Sequence, residues 1–202
     1  MIGIINSGIG NIASIKSALN KKSIEHKVCI SKNDFDKINK IILPGVGSFK
    51  TFYENLIENS IFEILKKKIQ NGMPILGICL GYHALFKSSN EFGHYEGLGF
   101  VDGEVKNLSE LNINLRIPHV GWNICTLKKK SILFENIDNE KNFYFTHSYI
   151  PTGVSTNNIL GVTPYGKEII SAIEKDNIFG VQFHPEKSHK FGMQILKNFA
   201  EL

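Results

Sequence analysis

Cys79 has a glycine two residues away on each side, in the stretch Gly77-Ile78-Cys79-Leu80-Gly81. This pattern is typical of a nucleophile elbow, a sharp strand-to-helix turn whose tip carries the attacking side chain. Side chains two positions from the nucleophile would collide in so tight a turn, which explains the glycines. The dipole of a following helix would favour the Cys79 thiolate, and the Leu80 N–H would point to where an oxyanion forms. Taken alone, the stretch also fits a buried structural cysteine beside packing glycines.

A thiolate nucleophile needs a general base and a group that orients the base. His184 and Glu186 supply both types within Gln-Phe-His-Pro-Glu. Pro185 favours an extended conformation at His184, and in extended chain residues two apart share a face, so Glu186 could support the imidazole. The segment follows a predicted strand, and sites in parallel sheets collect at strand ends. The alternative is a lone surface histidine.

A second glycine-rich turn, Gly45-Val46-Gly47, also joins a predicted strand to a predicted helix. It lacks the lysine and the spacing of a phosphate-binding P-loop. Because glycines let the backbone approach a ligand closely and turn a peptide over, this turn could supply a second oxyanion N–H. The alternative is an ordinary strand–helix turn.

The elements that must position these groups alternate along the first half of the chain. Hydrophobic periodicity predicts strands over 2–5, 26–30, 40–43 and 75–78. It predicts helices over 11–22, 49–71 with a break near Ser60, and 80–87. The second half is richer in predicted strands, over 99–106, 115–118, 143–149, 159–163, 169–174 and 178–183, before a helix over 189–202. We therefore expect one domain over 1–202 of the α/β class, a mostly parallel open sheet with helices on both faces and extra antiparallel strands from the second half.

The composition narrows the functional class. The chain has 202 residues, of which 42% are hydrophobic and 21% charged, as in ordinary globular proteins. Arg116 is the only arginine, which disfavours nucleic-acid binding, so the lysine runs at 66–68 and 128–130 are expected to be solvated faces. The three cysteines are odd in number and lack zinc-ligand spacing, so we expect neither disulfides nor a metal. The absence of a secretory signal pattern and of long apolar runs predicts a cytoplasmic protein, and we expect no cofactor and no membrane.

Gly77 to Gly81, Pro44 to Gly47 and Val181 to Glu186 together resemble the class I (triad) glutamine amidotransferases. Within that family, four stretches are most similar to the glutaminase subunits of imidazole glycerol phosphate synthase, the histidine-biosynthesis enzyme. The four stretches are Pro44–Phe49, Ile117–Asn123, Tyr144–Tyr149 and Gln182–Ser188. The resemblance runs from Ile4 to the C-terminus, and Pro-His-x-Gly-Trp-Asn is its most discriminating part.

The resemblance implies a Cys-His-Glu triad of Cys79, His184 and Glu186 that hydrolyses glutamine through a thioester. It also implies that Leu80 and the Gly45-Val46-Gly47 turn stabilise the oxyanion. The implied glutamine-binding residues are His83, Glu91, Ser148 and Tyr149. No metal or cofactor is part of this chemistry.

The resemblance further implies a heterodimer with a cyclase subunit of (β/α)8 type, which receives the ammonia and closes an imidazole ring. The residues implied to face that partner are Pro118, His119, Trp122, Asn123 and Lys187. The chain departs from the family at Tyr82-His83, where Met-Gln is usual, and at Asn6, where aspartate is common.

Three alternative functions stay open at the level of sequence. A paralogous glutaminase would supply ammonia to a sugar amidotransferase in surface-polysaccharide biosynthesis. A docking subunit would keep the fold without turnover, although the intact triad disfavours it. A cysteine peptidase or γ-glutamyl hydrolase could share the fold, but the stretch from Pro118 to Asn123 disfavours that assignment.

Overall fold

The computed structural model describes all residues, 1–202, in thirteen β-strands and five α-helices. The strands are β1 (Ile2–Ile5), β2 (His26–Cys29), β3 (Lys40–Gly45), β4 (Ile75–Cys79), β5 (Phe86–Ser89), β6 (Tyr95–Glu96), β7 (Val101–Asn107), β8 (His119–Leu127), β9 (Lys141–His147), β10 (Tyr149–Thr152), β11 (Ile159–Tyr165), β12 (Lys167–Lys175) and β13 (Ile178–Val181). The helices are α1 (Ile12–Asn20), α2 (Phe49–Glu58), α3 (Ile61–Gln70), α4 (Leu80–His83) and α5 (His189–Glu201).

Nine strands form the main sheet, in the order β2-β1-β3-β4-β13-β12-β11-β8-β9. The strands from β2 to β13 pair in parallel, and those from β13 to β9 pair antiparallel. The α/β fold class is confirmed, with the antiparallel strands contributed by the second half of the chain as expected. A second sheet of four strands, β10-β7-β5-β6, was not predicted.

Helices cover both faces of the parallel strands because successive strand residues point to opposite sides. In β3, Ile42 packs into the core beneath α1 and α5, whereas Ile41 and Leu43 pack into the core beneath α2 and α3. The break predicted near Ser60 separates α2 from α3, and Ser60 itself adopts a left-handed conformation with φ 55°.

Two predicted elements are wrong. The helix expected over 80–87 ends at His83, because Phe86–Ser89 pairs with β6 and β7 in the second sheet. The strand expected over 115–118 is irregular chain. Pro118 has no N–H to give to a strand ladder, and the strand begins only at His119 and runs to Leu127.

None of the helices is both long enough and apolar enough to span a bilayer. No cluster of three or more His, Cys, Asp or Glu side chains is arranged to hold a metal ion.

Candidate active site

The predicted site residues meet because three neighbouring strands of the main sheet are parallel. β3 and β13 flank β4, with Gly45 opposite Cys79 on one side and Val181 opposite Ile78 on the other. Parallel strands place their carboxyl ends at one edge of a sheet. The glycine turn after β3, Cys79 at the end of β4 and His184 just after β13 therefore gather there, although His184 is far from Cys79 in sequence.

Cys79 adopts a backbone conformation that side chains rarely adopt, with φ 53° and ψ −106°. Such conformations cost about 1–3 kcal/mol and persist only where the surroundings enforce them. The close contacts of the two flanking glycines show what enforces the Cys79 conformation. A Cβ on Gly77 would lie 2.6 Å from the Gly81 carbonyl oxygen, and a Cβ on Gly81 would lie 1.7 Å from the Leu43 carbonyl oxygen.

The helix after Cys79 is a single turn of four residues. The helix-dipole contribution expected at Cys79 is correspondingly smaller than that of the predicted helix, because a macrodipole is a sum over aligned peptides. The charge partners of the sulfur must therefore come mainly from side chains.

His184 and Glu186 form a buried pair. The His184 Nδ1 lies 2.8 Å from Glu186 Oε1, and only 1% of each side chain is exposed. The expected contact is present, but the expected reason is wrong, because Glu186 lies in a 3₁₀ turn over Pro185–Lys187 rather than in extended chain. With Nδ1–H donated to Glu186, the Nε2 of His184 is the nitrogen left for chemistry, and it is buried without a hydrogen-bond partner.

Burial by itself would lower the pKa of His184. The negative charge of Cys79, followed by the hydrogen bond and charge of Glu186, outweighs burial and raises the pKa of His184 to about 10. The Cys79 sulfur is thus the strongest charge partner of the imidazole. A pKa raised in this way keeps the His184 imidazole protonated at neutral pH.

Hydrogen bonds hold the backbone of His184 against β9. Its N–H donates to the Tyr144 carbonyl oxygen at 2.9 Å. The Ser188 hydroxyl donates to the His184 carbonyl oxygen at 2.6 Å and accepts the Tyr144 N–H at 3.0 Å. Ser188 is buried, so these bonds are shielded from water.

A cavity of about 360 Å³ opens in front of Cys79 and His184, within the size range of small-molecule sites. Its wall is formed by Val46, Gly47, Cys79, Leu80, His83, Glu91, Phe92, Pro118, Thr146, His147, Ser148, Tyr149 and His184. All four residues expected to bind glutamine, His83, Glu91, Ser148 and Tyr149, lie in this wall.

Glu91 is the only carboxylate in the cavity wall. Its Oε2 accepts the N–H of Phe49, the first residue of α2, at 3.1 Å. Burial raises the pKa of Glu91, and the Phe49 hydrogen bond opposes that rise. A partly desolvated carboxylate of this kind can pair with an ammonium group of a ligand.

The glycine turn splits into two parts. Val46 and Gly47 line the cavity, and Gly47 has φ +95°, which a side chain would strain. Gly45 is not in the wall. It belongs to β3, where a Cβ would lie 2.8 Å from the Leu80 Cβ, so its need for glycine is one of packing.

His83 makes its hydrogen bond inside the protein. Its Nε2 lies 2.8 Å from the Oε1 of Gln182, a fully buried side chain that sequence reasoning did not single out. The Gln182 Nε2 donates to the Cys79 sulfur at 3.9 Å. Burial lowers the pKa of His83 to about 4, so its ring is neutral at physiological pH.

Three residues of the cavity wall were missed by sequence reasoning: His147, Phe92 and Thr146. The His147 Nδ1–H donates to the Tyr149 carbonyl oxygen at 3.0 Å, so its Nε2 must accept, and it accepts from His119 Nδ1 at 2.9 Å. The His119 Nε2 in turn faces the Asn123 amide at 3.3 Å. Burial lowers the pKa of His119 to about 4 and, with the neighbouring histidines, holds the pKa of His147 well below its usual value.

Four of the five residues expected to face a partner are at least partly accessible. Trp122 is 48% exposed and stacks on His189 at 4.8 Å, and the Lys187 ammonium lies over the Tyr144 ring at 5.5 Å. Pro118 is exposed at the cavity wall. The expectation for His119 is wrong, because its side chain is 3% exposed and bonded to His147.

The two other cysteines lack this setting. Burial raises the pKa of Cys29 to about 11 and that of Cys125 to about 12. Neither lines the cavity. Cys79 is therefore the thiol suited to nucleophilic attack.

Comparisons with known proteins agree with this geometry. The family model described as "Glutamine amidotransferase class-I" matches residues 3–202. The chain is 45% identical to imidazole glycerol phosphate synthase subunit HisH 2 of Methanococcus maripaludis, over 100% of this chain and 99% of that protein. It is 42% identical to the HisH subunit of Sulfurimonas denitrificans, over 100% and 98% respectively. Among solved structures, "Crystal structure of glutamine amidotransferase" shares the fold with a TM-score of 0.77 at 19% identity, covering 99% of this chain and 97% of that one. "Structure of PurLQS from Thermotoga maritima" does so with a TM-score of 0.77 at 18% identity and the same coverage.

Gly81→Ala should destabilise the fold strongly, because the new Cβ would lie 1.7 Å from a backbone oxygen of β3 that cannot move aside cheaply. We expect a loss of about 3 kcal/mol or more in the free energy of unfolding, the upper end of overpacking costs. Urea unfolding measures it. The matched control is Gly10→Ala, whose Cβ would meet nothing closer than 3.8 Å. Equal stability of the two variants would contradict the steric account.

Cys79→Ala should lower the pKa of His184, because the largest upward influence on the ring is removed while burial remains. We expect a fall of about 1–3 units, the usual effect of one nearby opposite charge. NMR titration of the imidazole carbon shifts measures it. Cys125→Ala is the control and should leave the titration in place. An unchanged midpoint in Cys79→Ala would show that the sulfur and the ring are not electrostatically coupled.

Proposed function

This chain belongs to the class-I glutamine amidotransferase family, and on that premise we propose that it is the glutaminase subunit of an imidazole glycerol phosphate synthase. One observation carries the chemistry: Cys79, in a strained elbow, shares a cavity with a His184–Glu186 pair whose free nitrogen faces no other partner. Full-length relatives at 38–45% identity that carry the HisH name support the histidine-biosynthesis branch over a sugar-amidotransferase paralogue.

In the proposed reaction, the Cys79 thiolate attacks the side-chain amide carbon of glutamine. The carbonyl oxygen becomes an oxyanion, stabilised by the Leu80 N–H and by an N–H of the Val46-Gly47 turn. The His184 imidazolium then gives its proton to the departing nitrogen, the C–N bond breaks, and ammonia leaves behind a thioester on Cys79. Neutral His184 next takes a proton from water, which attacks the thioester and releases glutamate. Glu186 keeps His184 in the required orientation throughout.

Recognition of glutamine is proposed to rest on the charges and polar groups of the cavity wall. Glu91 would pair with the α-ammonium group of the ligand, since it is the wall's carboxylate. Ser148 and Tyr149, where β9 passes into β10, would supply further polar contacts. His83 lines the same cavity.

The proposed partner is a (β/α)8 cyclase subunit, bound as a heterodimer in the cytoplasm. An apolar patch on one face of β8, Val120, Trp122 and Ile124, is exposed by 56%, 48% and 36%. Contiguous exposed apolar residues of this kind mark interaction surfaces. The patch follows directly after Pro118 in the cavity wall, so a partner covering it would sit beside the place where ammonia is released. Lys187 borders the same surface, because its ammonium lies over the Tyr144 ring that packs against Trp122. Asn123 lies on the other face of β8, where its amide donates to the Pro164 carbonyl oxygen.

Cys79→Ala should abolish glutamine hydrolysis even with the partner saturating, because no other thiol lines the cavity. Cys29→Ala and Cys125→Ala should keep most of the activity, as both residues lie elsewhere in the core. Glutamate release in a coupled assay measures all three. Retained hydrolysis in Cys79→Ala would refute the mechanism. A thiol-reactive glutamine analogue that failed to label Cys79 would favour a docking subunit without turnover.

The subunit alone should be a poor glutaminase. The flexible glycine turn can present its peptide either way round, and a missing oxyanion donor costs on the order of 10²–10³ in rate. Adding the cyclase with its ribonucleotide substrate should raise glutamine turnover by at least about tenfold, through a shift of the turn toward the active orientation. Steady-state glutamate release with and without the partner measures this. Full activity of the isolated subunit would refute the gating.

A further inference from the structure

We propose that His83 is a positioning residue that acts through Gln182, by fixing the Gln182 amide so that its N–H points at the Cys79 sulfur. The inference rests on the proposed role of Cys79 as the nucleophile. It assigns His83 a task on the protein side of the sulfur, apart from any contact with glutamine.

The three side chains form a continuous hydrogen-bonded series. The His83 Nε2 is 2.8 Å from Gln182 Oε1, and Gln182 Nε2 is 3.9 Å from Cys79 Sγ. Gln182 is fully buried and absent from the cavity wall, so it approaches the sulfur from within the protein and cannot touch the substrate. Its effect on the reaction must run through Cys79.

An amide has a donor end and an acceptor end, and only one orientation of Gln182 suits a thiolate. With the NH₂ group toward Cys79, the sulfur receives a hydrogen bond to its charged form. With the amide reversed, the carbonyl oxygen would face the sulfur and repel the thiolate. The packing of Gln182 is nearly the same in both orientations, so a neighbouring group must choose between them.

His83 makes that choice through the nitrogen that carries its proton. When Nε2 bears the hydrogen, it can only donate, and Gln182 must present its oxygen to His83 and its NH₂ group to Cys79. The other nitrogen then carries a lone pair. In agreement, His83 Nδ1 is buried and makes no hydrogen bond. The Tyr149 carbonyl oxygen lies near the His83 ring and accepts the His147 Nδ1–H at 3.0 Å. A His83 proton on Nδ1 would point at this oxygen instead, and the Gln182 amide would then be reversed.

The titratable groups around this series are few. Cys79 is reached through Gln182, and Tyr82 is the adjoining ring at 5.9 Å. His147 on β9, Glu91 after β5 and His184 after β13 face the same cavity, and Glu186 pairs with His184. Because His83 and His147 have pKa values lowered by burial, His184 is the one imidazole of these that changes charge near the sulfur.

The test measures the pH dependence of Cys79 alkylation by iodoacetamide in the full-length chain, without glutamine or partner. Peptide mass spectrometry identifies the labelled thiol, and only the thiolate reacts. His83→Met has a similar reach without a donor. It should raise the midpoint by about one pH unit, the equivalent of losing one hydrogen bond to a charged group. His83→Gln places an N–H near the position of Nε2 and should restore the wild-type midpoint.

A double-mutant cycle separates positioning from an independent effect. If His83 acts through Gln182, Gln182→Met should raise the midpoint at least as much as His83→Met does. The double variant should then be no worse than Gln182→Met alone. Additive shifts would overturn the proposal, as would a His83→Met midpoint equal to that of wild type. A direct ligand of glutamine would instead raise KM for glutamine and leave the thiol profile unchanged.

A measurement on the unmodified protein guards against variants that fail to fold. Two-dimensional ¹⁵N–¹H NMR of the histidine rings reports which nitrogen of His83 carries the proton. The proposal requires the proton on Nε2, and a proton on Nδ1 would overturn it. Wild-type protein in which iodoacetamide does not prefer Cys79 over Cys29 and Cys125 would overturn the proposed nucleophile itself, a result distinct from unchanged midpoints in the variants.

Discussion

The close passage of β3 beneath the turn that follows β4 is the constraint on which the site depends. The Leu43 carbonyl oxygen occupies the space that a side chain at position 81 would need, and the Gly81 carbonyl oxygen does the same to position 77. Because neither contact leaves room for movement, Cys79 is held in a backbone conformation that most residues other than glycine avoid. The same contact fixes the distance between Cys79 and the strand that carries the glycine turn. The strained backbone of Cys79 and the fixed arrangement of the residues around it therefore have the same cause.

A second constraint is electrostatic. Four imidazoles lie in or next to the cavity, and burial would make all of them poor bases. Three remain neutral: His83, His119 and His147. Hydrogen bonds assign a donor and an acceptor nitrogen to His119 and His147, and His83 bonds to Gln182. Only His184 lies between the Cys79 sulfur and a carboxylate, and it alone of the four has a raised pKa. Position next to Cys79 and Glu186, rather than residue type, therefore gives His184 a pKa different from those of the other three imidazoles.

The sequence allowed the parallel part of the fold and the core of the site to be predicted, because those features have local signals. The glycines around Cys79, the Pro-Glu pair after His184 and the break at Ser60 each reflect a backbone need that is visible within a few residues. The second sheet was missed because β5, β6 and β10 are only two to four residues long, and β10 pairs with β7, which lies far from it in the sequence. Gln182 and His147 were missed because their importance lies in which atoms they meet across the sheet. His119 was expected at the surface because it belongs to a motif whose other members are accessible. Its own side chain points into the protein.

The pairing of Gly45 with Cys79 sets a limit on how the glycine turn can move. Since Gly45 is held in the ladder and Ser48 caps α2 by accepting the Thr51 N–H, both ends of the turn are anchored. The backbone torsions left free belong to Val46 and Gly47 alone. Any rearrangement there must be a rotation of the peptide between Val46 and Gly47. The flanking strand and helix would hardly be displaced. Such a movement needs no domain motion, since both anchors stay in place.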